Sequence, residues 1–249
     1  MQNIIRCLAV YDWEGDLNLA SHPAILVELV KDIDKEANKI AYYVPEIGKE
    51  RKMTTSKNRN IEFCISSIMA YDYIEIGRLI NKSYFDVISH ISYSTRNRRR
   101  DYVAARQIGS FSVDDALEHL KLYCRNFSPL YGFSITAECA AALIYVGGSA
   151  AMGMDHETIH RAANLGVTLR QSKEHLTGKL YDVYELNVLS QKHLERAVCG
   201  RPLWAWIGAG RRGDLIRITD SVTAWLVPDD IRPGVRQTLF SDGALIAPL

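Results

Sequence analysis

The sequence lacks the features that mark secreted or membrane-bound proteins. Its five cysteines are never closer than 15 positions and contain no C-x-x-C pair, so no disulfide pattern is predicted. No apolar run approaches the roughly 20 residues of a membrane-spanning helix. The first ten residues lack a basic segment and a cleavage motif, and Arg6 interrupts their apolar run. These absences predict a cytoplasmic protein with reduced thiols.

An excess of charge of either sign is also missing. Thirty lysines and arginines nearly balance 29 aspartates and glutamates, which gives a formal net charge of +1. Because a general binder of nucleic acid or membranes is usually more basic, neither a membrane nor direct nucleic-acid contact is expected. With 249 residues, 47% of them hydrophobic, the chain is long enough for one large domain or two modest lobes.

Strand-like and helix-like segments follow one another without a regular order. Residues 4–11 and 40–44 are β-prone, and apolar residues recur at helical spacing after Pro23. Ser112 opens a second clear helix. The pattern predicts an α+β fold with a mixed or antiparallel sheet and packed helices. A single domain over residues 1–249 is expected, in which two similar lobes of about 1–128 and 129–249 are an open alternative.

Several further segments carry local signals. The charged residues 48–60 predict a loop, and the β-prone residues 61–68 predict a strand. Residues 11–16 predict a turn after the first strand. Residues 214–219 and 222–227 alternate like the two strands of a hairpin.

Residues 156–160 read His-Glu-Thr-Ile-His, an H-E-x-x-H pattern. On a helix such histidines share one face and bind zinc, while the glutamate activates water. A catalytic zinc needs a third protein ligand, yet Ala163 and Gly166 occupy the positions where the extended motif has glycine and histidine. We therefore expect no bound metal, no cofactor and no metal-dependent activity. A zinc-dependent hydrolase that uses His156 and His160 is the alternative.

Residues 208–213 read Gly-Ala-Gly-Arg-Arg-Gly, the G-x-G-x-x-G spacing of dinucleotide-binding loops. Such a loop must open a helix whose N-terminus holds the pyrophosphate. The residues after Gly213 alternate like a strand instead, so this segment is interpreted as a turn between two elements.

A longer pattern occupies the C-terminal third. Residues 180–190 read Leu-Tyr-Asp-Val-Tyr-Glu-Leu-Asn-Val-Leu-Ser, and His-Leu-Glu follows at 193–195. Residues 200–207 read Gly-Arg-Pro-Leu-Trp-Ala-Trp-Ile, and residues 222–228 read Val-Thr-Ala-Trp-Leu-Val-Pro. Over about residues 180–240 this order resembles the immunity proteins encoded beside polymorphic bacterial toxins, including toxins delivered by type VI secretion.

The resemblance implies a non-catalytic inhibitor that binds and silences a cognate toxin in the cytoplasm of the producing cell. The implied partner is a toxin or effector protein encoded by an adjacent gene. Four positions of the shared pattern are assigned to the fold: Asn187, His193, Trp206 and Trp225. Trp204 also lies in an apolar periodic run and is predicted to be a core residue. A structural subunit that needs no toxin is another alternative.

Two charged segments are candidates for contact with the toxin. The first is the predicted turn after the first strand, where Trp13 lies among the carboxylates of Asp12, Glu14 and Asp16. An aromatic residue among acids can anchor on a basic toxin surface, whereas the alternative is a tryptophan folded back on the core. The second is a basic loop, which fits an acidic partner or is simply solvated: Arg96, Arg98, Arg99 and Arg100.

Overall fold

The computed structural model describes residues 4–14, 22–44, 49–56, 60–68, 73–79, 87–94, 100–138 and 173–246. In them, ten strands form one antiparallel sheet, and helices pack on both of its faces. The predicted α+β class with an antiparallel sheet is confirmed.

The described elements are as follows. The strands are β1 (Ile4–Glu14), β2 (Lys39–Val44), β3 (Lys49–Thr54), β4 (Tyr73–Leu79), β5 (Val87–Ser94), β6 (Asp101–Gln107), β7 (Ser128–Glu138), β8 (Leu186–Ser190), β9 (Ala197–Val198), β10 (Arg201–Pro202), β11 (Asp214–Arg217) and β12 (Val222–Leu226). The helices are α1 (Pro23–Ile33), α2 (Ile61–Ser66), α3 (Val113–Cys124), α4 (Gln191–Glu195), α5 (Leu203–Ala209) and α6 (Arg232–Ser241).

The order of strands across the sheet is β11-β12-β8-β7-β1-β6-β5-β4-β2-β3. At its centre, Ala9 of β1 lies opposite Val103 of β6 on one side and Phe133 of β7 on the other. One sheet therefore runs through both of the proposed lobes, because β1 joins the N-terminal strands to β7. The division into lobes near residue 128 stays a prediction.

Two apolar cores form, one on each face of the sheet. Because side chains alternate along a strand, Leu8 and Val10 of β1 enter the first core, where they meet α1, α2 and α3. Cys7 and Ala9 point into the second core, which the residues from Leu180 onward complete. The nearly continuous apolar sequence of β1 reflects its burial on both faces.

Helix α3 begins where the sequence predicts. The Asp115 N–H donates to Ser112 Oγ at 3.1 Å, and the Ser112 N–H donates to Asp115 Oδ2 at 2.7 Å. This reciprocal capping box satisfies backbone donors that the helix itself leaves without acceptors. Leu117 and Leu120 then face the first core.

The strand predicted at residues 61–68 is wrong, because the chain forms the short helix α2 there. The Asn60 side chain accepts a hydrogen bond from the Phe63 N–H at 2.8 Å and caps the helix. Ile61, Cys64 and Ile65 are buried at helical spacing. Burial against α1 therefore overrides the β-propensity of this segment.

The loop predicted at residues 48–60 is also wrong in part, since Lys49–Thr54 forms β3. β3 pairs with β2 and ends the order of strands. Lysine and arginine are common in edge strands, where they discourage pairing with other chains. The turn predicted at 11–16 begins too early as well, because β1 continues to Glu14.

Candidate protein-binding surfaces

The two predicted toxin-contacting segments meet at one end of the sheet. The Asp12 N–H donates to the Arg100 carbonyl at 2.7 Å, where β1 and β6 leave their ladder. Trp13 lies opposite Pro129, and Glu14 lies opposite Ser128. The remaining residues of the prediction lie outside the described residues: Asp16, Arg96, Arg98 and Arg99.

The Asp12 carboxylate is engaged inside the chain. Its backbone adopts a left-handed φ of 44°, a conformation that aspartate tolerates better than most residues. Asp12 Oδ2 lies 3.0 Å from His175 Nε2, and His175 Nδ1 lies 3.2 Å from the Tyr181 hydroxyl. The His175 side chain is only 2% exposed. Asp12 therefore orients a buried imidazole between β1 and the segment that precedes β8.

A second histidine lies close to this network. His193 stacks on Tyr131 with ring centroids 5.2 Å apart, and its Nδ1 lies 2.8 Å from Ser190 Oγ. Burial, and then the electrostatic interaction with His175, lowers the pKa of His193 to about 3. The Ser190 N–H also donates to Nδ1, so the neutral ring carries its proton on Nε2.

A cavity of about 350 Å³ opens at the same end of the sheet, beside His175. Its volume falls in the range of small-ligand pockets. Lys192 is the residue in its lining with a permanent charge. The other lining residues are Ser128, Pro129, Leu130, Leu176, Ser190, Gln191 and Ser221.

The opposite face holds a similar polar network, in which a buried histidine and tyrosine contact a partly exposed carboxylate. Asp32 Oδ2 lies 2.6 Å from His119 Nδ1, and the Tyr102 hydroxyl lies 2.6 Å from His119 Nε2. Burial, and then the charge of Asp32, raises the pKa of Tyr102 well above its ordinary value. His119 is fully buried. These contacts join α1, α3 and β6, so the network ties helices to the sheet.

Trp204 is a surface residue that the sequence prediction assigned to the core. It is 54% exposed, whereas Trp206 and Trp225 are 4% and 0% exposed. The prediction is wrong for Trp204 because α5 turns Leu203, Trp206 and Ile207 inward. That i, i+3, i+4 spacing places residue 204 on the outer side of the helix. The sequence spacing of the apolar residues in α5 therefore already indicated that Trp204 faces outward.

The whole fold resembles that of a type VI secretion protein. A solved structure described as Pseudomonas aeruginosa T6SS protein PA0821 matches with a TM-score of 0.63 and 11% sequence identity. The match covers 97% of this chain and 73% of that chain. At this identity the likeness shows a common fold alone. No protein-family model and no curated protein matches the sequence.

The residues of the C-terminal sequence pattern lie inside this fold. Asn187 is fully buried, and its side chain accepts from the Tyr184 N–H and donates to the Tyr184 and Trp225 carbonyls. His193, Trp206 and Trp225 are at most 4% exposed. The assignment of these four residues to the fold agrees with their burial.

The two motif-like sequences differ in what the structure says of them. The H-E-x-x-H residues His156 and His160 lie outside the described residues. Gly208 lies within α5, and Gly213 turns the chain into β11 with a φ of 96°. Residues 210–213 form the turn between α5 and β11, as interpreted from the sequence, whereas Gly208 and Ala209 belong to the end of the helix.

In the ranges that the structure describes, no three histidine, cysteine, aspartate or glutamate side chains gather closely enough to hold a metal ion. None of the helices in those ranges has the length and apolar character needed to cross a membrane.

Proposed function

We propose that this chain is an immunity protein that binds a cognate toxin in the cytoplasm and neutralises it. The observation that carries the proposal is the fold shared with a type VI secretion protein along 97% of this chain. The sequence resemblance over residues 180–240 points to the same biological setting without depending on the fold comparison.

The buried residues of the C-terminal sequence pattern support a binding role. The Asn187 side chain donates to the Trp225 carbonyl and so links β8 to β12. The Trp225 indole N–H donates to the Arg212 carbonyl in the turn before β11. Residues with such buried contacts stabilise the fold. Surface residues that the fold does not require can then vary to match a particular partner. Such a division suits a protein that recognises one toxin by surface complementarity.

The chemistry of His193 and His119 supports the proposal that the chain is not an enzyme. Ser190 and His193 resemble a nucleophile and its base at 2.8 Å. A base with a pKa of about 3 cannot take a hydroxyl proton effectively at neutral pH. The His119 side chain is fully buried. Both histidines fit structural roles better than catalytic ones.

Growth rescue tests the proposal directly. The protein encoded by the adjacent gene is expressed alone and together with this chain. We expect growth arrest by the neighbour alone, rescue by this chain, and co-purification of the two proteins. A harmless neighbour, or rescue without physical association, would contradict the immunity function.

The zinc-hydrolase alternative has a separate test. Metal-free protein receives one equivalent of zinc and is then treated with a chelator. Because no third ligand follows the H-E-x-x-H residues at the expected spacing, we expect the chelator to remove the zinc. Stoichiometric zinc that resists the chelator, and that is lost in His156→Ala, would favour the hydrolase.

A further inference from the structure

We propose that the outer side of α5 is the docking surface for the toxin, and that the toxin presents an acidic surface to it. This surface, the α5 face, consists of Arg201, Trp204, Gly208 and Arg211. The inference rests on the proposed immunity function and adds where the partner binds and by what chemistry.

Trp204 supplies the anchor. Trp204 is 54% exposed, although Leu203, Trp206 and Ile207 beside it are at most 4% exposed. The inner side of α5 is thus fixed in the second core, and Trp204 is held outward on a rigid element. Tryptophan is the residue type most enriched among those that dominate protein–protein binding energies. Burying its exposed area under a partner would stabilise a complex.

The surface next to Trp204 is open. Gly208 lies one helical turn further along the same side of α5, and a Cβ atom built at Gly208 meets no atom within 4 Å. Ala209 and Gly210 are exposed as well. A partner can therefore approach the tryptophan ring closely on this side.

Charge determines the kind of partner. Arg201 and Arg211 flank α5, and both are exposed. In the part of the chain that the structure describes, neither guanidinium has a hydrogen-bond or ion-pair partner. By contrast, Arg217 pairs with Asp220 and Arg236 pairs with Asp182, at 2.8 Å and 2.7 Å.

The neighbouring Arg212 does not share this role. Its guanidinium carbon lies 4.0 Å from the Trp206 ring centroid, and its Nη1 donates to the Trp206 carbonyl. Arg201 and Arg211 thus remain available to carboxylates of a partner, with which arginine forms bidentate hydrogen bonds. A second copy of this chain docking through the same face would bring like charges together, which is unfavourable.

The experiment measures binding of the adjacent-gene toxin, carrying an inactivating substitution in its own active site, to purified variants of this chain. Trp204→Ala removes the anchor, and Gly208→Gln blocks the open surface without an internal clash. We expect each to weaken binding by about 30-fold or more. The double variant Arg201→Glu, Arg211→Glu should lower the association rate and reduce its dependence on salt.

Phe63→Ala is the matched control. Phe63 is 56% exposed on α2, which covers the opposite face of the sheet, so the change removes a similarly exposed aromatic ring elsewhere. It should bind like the wild type. Circular dichroism and the melting temperature establish whether each variant is folded. If Trp204→Ala does not fold, the binding of Gly208→Gln decides the outcome.

The failures are distinguishable. If the wild-type chain does not bind the toxin, the proposed function fails. If the wild type and Gly208→Gln bind the toxin equally well, the α5 face is not the docking surface. Loss of binding in Lys192→Glu would then locate the toxin at the cavity. Binding that nuclease treatment abolishes, or a free wild-type dimer that Trp204→Ala dissociates, would also overturn the proposal.

Discussion

At the scale of single residues, the histidines show how burial sets charge. His193 has an ordinary pKa near 6.5 when unfolded and about 3 in the fold, because its buried ring loses the hydration that a positive charge needs. Burial also lowers the pKa of His90 to about 4. Both rings are therefore neutral in the native protein at neutral pH.

This shift predicts a stability that falls in mild acid. Below pH 6.5 the unfolded chain binds a proton at residue 193 that the native chain excludes until about pH 3. The free energy of unfolding should therefore drop by up to about 1.4 kcal/mol per pH unit for this one group. Urea unfolding of the wild type and of His193→Gln between pH 8 and 4 measures it.

Between pH 6 and 4, the free energy of unfolding of His193→Gln should fall less steeply with decreasing pH than that of the wild type, by the contribution of one proton. Glutamine keeps an acceptor for the Ser190 N–H but does not titrate. Above pH 7.5 the two proteins should show the same slope, which serves as the internal control. Parallel curves down to pH 4 would show that His193 takes up no excess proton on unfolding.

Two glycines of the G-x-G-x-x-G segment should respond oppositely to alanine. At Gly213, with a φ of 96°, a Cβ atom would lie 2.0 Å from the Leu226 carbonyl oxygen. Gly213→Ala should therefore destabilise the protein by about 2–4 kcal/mol. At Gly208, inside α5 and facing open space, alanine should stabilise by about 0.5–1 kcal/mol.

Urea unfolding of these two variants gives the comparison. Because both substitutions add the same methyl group five positions apart, the difference isolates backbone conformation and local space. Equal changes in the free energy of unfolding would contradict the interpretation of this segment as helix, turn and strand.

At the scale of elements, the cap of α3 is a feature that the sequence predicts and the structure confirms. The hydrogen bonds from the Ser112 N–H and hydroxyl hold the pKa of Asp115 below its usual value. Ser112→Ala should cost about 1 kcal/mol of unfolding free energy and raise the Asp115 pKa toward 3.8. Chemical denaturation and an NMR titration of Asp115 measure the two effects.

Ser110→Ala is the matched control for that change. The Ser110 hydroxyl donates to the Gln107 carbonyl at 3.0 Å in an exposed turn and caps no helix. Its replacement should alter stability by no more than about 0.5 kcal/mol and leave the Asp115 pKa unchanged. Equal losses in both variants would mean that the capping box adds nothing.

The elements that sequence reasoning missed share a physical cause. β-propensity at residues 61–68 reflects isoleucine and phenylalanine, but the Asn60 cap and the spacing of Ile61, Cys64 and Ile65 favour a helix once α1 supplies a surface. β3 is the last strand in the order of the sheet and pairs with β2. Charged side chains are compatible with a strand in this position. Both outcomes depend on neighbours that local sequence does not specify.

At the scale of the whole molecule, the class of fold was predictable and the order of strands was not. Alternating segments indicate strands and helices. The pairing of β1 with both β6 and β7, however, joins residues 90 to 134 positions apart in the sequence. The candidate surfaces divide in the same way. Asp12 and Arg100 were identified from sequence, whereas the contact between them required the fold. The outward position of Trp204 follows from the spacing of Leu203, Trp206 and Ile207, which the sequence prediction overlooked.

The most direct test of the central claim is a calorimetric titration of this chain with the inactivated toxin from the adjacent gene. An immunity protein must hold its toxin at cellular concentrations, so we expect a one-to-one complex with a Kd below about 100 nM. Light scattering of the mixture should show a single species with the summed mass of the two proteins. Absence of binding at micromolar concentrations of both folded proteins would contradict the account.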